Sequence, residues 1–180
     1  MFTFVSGNLA LDFCGTVRGR TTRAEEQLPV PERLSEWFVA AGLLDTTPRV
    51  DATALARAVE LREAVYRMAF EGIVENQRID DADRALVNEI ARGPLPVVAL
   101  RPDGTIRRTG DTDTALAAIA RAAVELLGGP DAPRVKQCGR DDCTRLYVDT
   151  SRAGSRRWCD MTQCGNRAKS AAFRARHTER

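Results

Sequence analysis

The sequence predicts a mostly α-helical front domain of the α+β class that carries one β-hairpin. A small cysteine-rich module built as a knuckle, a hairpin and a helix follows it. Three observations carry this. Apolar residues recur at helical spacing in four segments between residues 31 and 127. A Pro102-Asp103-Gly104 turn separates two β-prone runs. Four of the five cysteines fall within 27 residues, as two pairs with the same internal spacing.

Taken in order, residues 2–5 read as a short strand, and residues 9–13 are helix or strand on their length alone. Residues 21–31 form a polar loop whose second proline, Pro31, opens a helix through about Leu44, with Leu34, Trp37, Phe38 and Ala41 on one face. The longest helix is expected over 51–75. There Leu55, Val59, Arg62 and Tyr66 run beside Leu61, Val65 and Met68, and no glycine or proline intervenes before Gly72. Asp80 or Asp81 caps the next helix, which runs to about Arg92 with Leu86, Val87 and Ile90 inward and stops at Gly93-Pro94. Residues 95–109 are the two-stranded ribbon. Asp111 or Asp113 caps a further helix, with Leu116, Ile119, Ala120, Ala123 and Leu127 facing inward until Gly128-Gly129-Pro130 halts it. A stiffened linker over 128–134 then joins a front domain, residues 1–130, to a second module, residues 131–180.

Composition narrows the function. At 180 residues, with 43% apolar, 29% charged and 6% aromatic content, the chain can build a core without disulfides, so the cysteines point to chemistry. No secretory signal and no spanning apolar run is read, which gives a cytoplasmic protein with no membrane partner. Net charge is only +2, yet residues 134–180 hold 12 Lys and Arg against 5 Asp and Glu, while residues 1–133 are net acidic. Little in the chain suggests an enzyme. Its one histidine, His177, lies in a charged tail, no nucleophile has a base beside it, and no Gly-rich phosphate loop follows a strand. Cys14, alone in an apolar segment, reads as a buried inert thiol, and Asp12 and Arg62 are the weak candidates for polarising a ligand pocket in the front domain.

Cys138 and Cys143, then Cys159 and Cys164, have the spacing of a metal site. Tetrahedral Zn²⁺ takes four soft donors, and two tight turns present two thiolates each, closing the shell so that the metal holds a fold rather than a substrate. Residues on either side of Arg152-Ala153-Gly154 read as the module's hairpin, and the stretch after Cys164 as its helix, a treble-clef-like zinc finger. Treated as a helix, residues 165–176 place Ala168, Ala171, Ala172 and Ala175 on one arc, flanked by Arg167 and Arg174 on one edge and Lys169 and Arg176 on the other. Arg156 and Arg157 extend this basic surface toward a DNA backbone. Whether Phe173 is core or exposed is open. RNA is an alternative through stacking on Trp158, Tyr147 or Phe173, and the same arginines also suit neutralisation of a four-thiolate zinc.

Residues 159–167, CDMTQCGNR, resemble the CGNR zinc-finger family, and residues 7–16, GNLALDFCGT, resemble the opening motif of the ABATE-type domain that precedes the finger in that family. At Gly15 the chain departs from the asparagine the family pattern tends to carry. The resemblance implies a stress-linked bacterial transcription regulator, with a DNA-binding finger and a front domain that senses a small-molecule effector. Two other classes stay open: a zinc-stabilised protein-interaction module, and a redox-responsive zinc switch. A homodimer through the long helix is left open as well.

Overall fold

The computed structural model describes residues 1–178, apart from the side chains at 172, 173 and 175–178. The question of Phe173 and the candidate cation Arg176 therefore lie outside the described residues.

Residues 2–5 form no strand. Their polar groups go to side chains and single bonds instead of a ladder: the amides of Val5 and Ser6 donate to Asp12 Oδ1, and the Ser6 carbonyl accepts from Val148. α1 (Leu9–Cys14) settles the ambiguous segment as helix because Asn8 caps it, its side chain accepting from the amides of Ala10 and Leu11. A two-residue ladder, β1 (Val17–Arg18) with β2 (Glu25–Glu26), closes the polar loop. α2 (Pro31–Ala40) has proline in its first turn and buries Leu34, Trp37 and Phe38.

α3 (Ala52–Arg67), capped by Asp51, continues without a break into a π-helical stretch, Met68–Val74. Its wider turn, marked by the Glu75 amide bonding to the Phe70 carbonyl, lies where Gly72 sits under Ile79. α4 (Asp81–Ala91) is capped by Asp80, and α5 (Thr112–Leu127) opens with a capping box between Asp111 and Thr114. Between them β3 (Val97–Leu100) and β4 (Ile106–Thr109) form the expected hairpin, with Val97 opposite Thr109 and Leu100 opposite Ile106.

The main core gathers Phe13, Trp37, Phe38, Leu34, Leu61, Leu116 and Ile119, with the Phe13 and Trp37 rings 4.9 Å apart. A second cluster joins the two ends of the chain: Leu11 and Ala69 pack with Leu126, Val135, Leu146 and Val148. The stretch read as a linker is correspondingly tight. It winds through a 3₁₀ turn (Ala132–Arg134), and the Arg134 guanidinium donates to the carbonyls of Asp149 and Ser151. Beyond it, β5 (Val135–Gln137) pairs with β6 (Leu146–Val148). The module's hairpin thus encloses the first cysteine pair rather than flanking Arg152–Gly154. Residues 149–158 are irregular because Asp149 spends its carboxylate on Lys136, Ser151 and the Arg156 amide. A wide turn (Met161–Gly165) leads into α6 (Asn166–Thr178). Among the described residues no helix is long and apolar enough to cross a membrane.

Candidate metal centre

Two tight turns present the cysteines. In the first, the Cys138 amide bonds to the Arg145 carbonyl and the Cys143 amide to the Arg140 carbonyl, so the chain doubles back between β5 and β6. Gly139 allows this turn to close on the loop behind it. Its amide donates to the Arg157 carbonyl, and a Cβ there would lie 3.1 Å from that oxygen and 3.4 Å from the Trp158 ring. In the second turn, Asp160 accepts from the amide and hydroxyl of Thr162, Gly165 donates back to the Asp160 carbonyl, and Cys164 is carried inward.

The result is a cluster in which all four sulfurs lie within 4.8 Å of one another. The Cys143–Cys159 and Cys143–Cys164 separations are 3.8 Å and the Cys159–Cys164 separation is 3.6 Å. Ligands about 2.3 Å from a tetrahedral zinc stand about 3.8 Å apart, so the donor set fits one structural zinc ion. Charge leads to the same conclusion. Sulfurs this close carry their charges together only around a cation. Arg140 adds a neighbouring positive charge, its guanidinium 3.8 Å from Cys164 Sγ and paired with Asp142.

Tyr147 and Arg156 brace the site from behind, and neither role was legible in the spacing. Tyr147 is fully buried, its hydroxyl donates to the Arg156 carbonyl, and burial pushes its pKa up to about 12. The Arg156 guanidinium stacks 4.4 Å from that ring and donates to the carbonyls of Trp158, Val148, Val5 and Cys159. Arg156 is thus a strut rather than the free nucleic-acid contact read from the sequence: backbone carbonyls take four of its five N–H donors. Arg157 is exposed beside Trp158, and Arg167, Lys169 and Arg174 are exposed along α6. An open groove of about 1000 Å³ lies between the first knuckle and α6, with Arg167, Ser170, Ala171 and Arg174 on one wall. Within the CGNR stretch, Cys164 supplies a sulfur and Gly165 fits under Met161. The Asn166 amide ties back to the Thr162 carbonyl, and Arg167 turns outward.

The two weak pocket candidates are also corrected. Asp12 is buried, and its carboxylate caps the amides of Val5 and Ser6 and lies 3.9 Å from Arg145. Burial pushes its pKa up, against those hydrogen bonds. Arg62 is 2% exposed and spends its guanidinium on both oxygens of Glu26, on Glu63 and on the Thr16 hydroxyl. Neither lines the cavity of about 380 Å³ between the front region and the finger. Cys14 is buried, and burial pushes its thiol up to about 12, which makes it a poor nucleophile.

The residue that spacing missed is Arg145. It follows the first knuckle and reaches the front region, donating to the carbonyls of Thr3 and Gly15. A Cβ on Gly15 would lie 2.9 Å from Arg145 Cζ and closer still to Nη1, so the departure at Gly15 is the space this guanidinium fills. Next to it, the Thr144 hydroxyl accepts from the Arg20 amide.

Comparison with known proteins agrees with this geometry. No curated protein matches the chain. Two family models do: the CGNR zinc finger matches residues 134–177, and ABATE, described as "Putative stress-induced transcription regulator", matches residues 7–130. The second match spans well over half of the sequence, so the chain belongs to the ABATE family and carries a CGNR zinc finger behind its ABATE region.

Proposed function

We propose that this chain is a transcription regulator whose zinc finger binds DNA along the wall of α6, while its front domain senses a small effector. The observation that carries the DNA reading is the sorting of the finger's arginines. Arg156 and Arg145 are consumed as internal struts, whereas Arg157, Arg167, Lys169 and Arg174 stay on the surface, three of them on one helix beside an open groove. Cations on a helix that borders a groove suit a phosphate backbone. Asp141 and Asp142 on the opposite wall repel phosphate and hold the backbone to the α6 side. Zinc supplies the folding free energy that sets these side chains in place.

For the effector, a cavity of about 380 Å³ lies where the front region meets the finger. Arg18 and Arg23 line it from one side and Arg140, Arg145 and Arg167 from the other, outnumbering Glu25, Asp142 and Asp160, which favours an anionic molecule able to touch both parts.

Fluorescence anisotropy on random duplex DNA, with zinc-loaded and chelated protein at two salt concentrations, tests the DNA reading. Zinc-dependent binding with a steep negative slope of log affinity against log salt is expected, and Arg167→Ala with Arg174→Ala flattens that slope. A zinc-loaded protein that binds no duplex, or binds with a slope near zero, overturns it in favour of a protein-interaction module.

A further inference from the structure

The hairpin of β3 and β4, with the residues leading into it, gathers more exposed large apolar side chains than any other element among the described residues. Leu95, Val97, Val98, Leu100 and Ile106 are 43%, 65%, 63%, 77% and 47% exposed, on both faces of the ribbon. A hairpin that served only to connect α4 with α5 would carry polar residues there.

The two edges of the ribbon differ. Outside β4, the Arg108 carbonyl accepts from the Asp45 amide, and Arg107 and Arg108 put positive charge on that strand. The outer edge of β3 has no backbone partner among the described residues, and Val97–Leu100 contains neither a charge nor a proline. Charges and prolines are the usual guards of an open edge. The other short strands have protection: β1 and β2 carry Arg18, Glu25 and Glu26, and β6 is buried.

The register defines what this edge can accept. Because the Arg108 carbonyl points away from β3, Val98 opposite it also turns its amide and carbonyl outward, and so does Leu100 two residues on. Two copies of β3 running antiparallel then pair Val98 with Leu100 of the second copy, and the reverse, about an axis through Ala99. Ala99 falls at the closely spaced, non-hydrogen-bonded position, where a small side chain fits. The four-stranded sheet that results has an uncharged centre and keeps Arg107 and Arg108 on its outer strands. Pairing through β4 instead would bring like charges together and displace Asp45.

We infer that β3 is a self-association edge, and that this chain forms a two-fold dimer through β3 pairing with β3 of a second copy. The contact is short beside a standard interface, so the dimer is in equilibrium with monomer and depends on concentration.

Sedimentation equilibrium of the full zinc-loaded chain tests this. The wild type is expected to rise from monomer toward dimer mass with concentration, and to hold or gain dimer as salt increases, because no charge is paired. Val98→Pro removes an outward amide while sparing the bonds to β4, since proline is tolerated at an edge. It should abolish the dimer with helix content and zinc stoichiometry unchanged. Leu100→Lys, which leaves every backbone group in place, should also abolish it, whereas Arg107→Glu on the far strand should leave it intact. A wild type that stays monomeric at the highest attainable concentration overturns the inference. So does a dimer that survives both Val98→Pro and Leu100→Lys, or one lost only with Arg107→Glu.

Discussion

The front region and the finger solve the problem of burial in opposite ways. In the front, Trp37, Phe38, Phe13, Leu61, Leu116 and Ile119 sit within one apolar cluster. In the finger, the comparable cluster is Cys138, Tyr147, Cys159 and Cys164, with Cys143 and Trp158 at its side. One part is held by area removed from water, the other by four sulfurs around a metal. A chain can therefore lose one without first losing the other, except at their seam, where Leu11 packs with Val148 and Arg145 reaches Gly15.

The largest effect that separates the two parts is expected from Cys159→Ser. Coordination supplies on the order of 10 kcal/mol of apparent folding free energy to a small zinc module, so this change should release the metal and melt the finger. Metal analysis should fall from one zinc per chain, while a cooperative helical melt of the front region persists. Trp37→Ala is the mirror image. Removing a fully buried aromatic costs about 3–5 kcal/mol. The front transition should drop or vanish in thermal denaturation while isolated zinc-bound chains still return the same metal content.

Arg62→Met probes the polar part of the front core. Breaking a buried ion pair leaves Glu26 without its cation, while Glu63 keeps Arg20, at about 3 kcal/mol before allowance for the partial exposure of both carboxylates. The pair also sets a direction in pH. Burial opposes the charged form of both acids, yet hydrogen bonds from Arg62 to Glu26, and from Arg20 and Arg62 to Glu63, hold both below their ordinary value of 4.5. Their contribution is therefore complete above that value and is lost as pH falls through the lowered values. Denaturant midpoints measured from pH 6 downward should fall in the wild type and fall less steeply in Arg62→Met.

Gly15→Ala should have the smallest effect, about 1–2 kcal/mol, because a Cβ there displaces the Arg145 guanidinium. Its value lies in location. It sharpens the comparison if front and finger, monitored separately by the helical melt and by zinc release, both weaken from this one change.

Much of this division was legible in the sequence. Local rules acted alone for the helices capped by Asp51, Asp80 and Asp111, for the Pro102–Gly104 turn and for the paired cysteines, so spacing was enough. It failed where distant partners decide. Residues 2–5 look like a strand, but their amides find the Asp12 carboxylate. Arg156 looks like a surface cation, but its guanidinium finds four carbonyls, one of them Val5 at the other end of the chain. The finger's hairpin moved because Asp149 spends its carboxylate on the loop that had looked like a strand. Composition suggested none of these contacts, because each joins residues whose proximity depends on the finished fold.

Hydrogen exchange read by mass spectrometry, on the full chain with zinc bound and after chelation, tests the central claim most directly. Chelation is expected to abolish protection across residues 135–165 while amides in α3 and α5 keep theirs. Equal protection in both states, or loss of protection in α3 and α5 together with the finger, would contradict the claim that metal and apolar core hold the two parts separately.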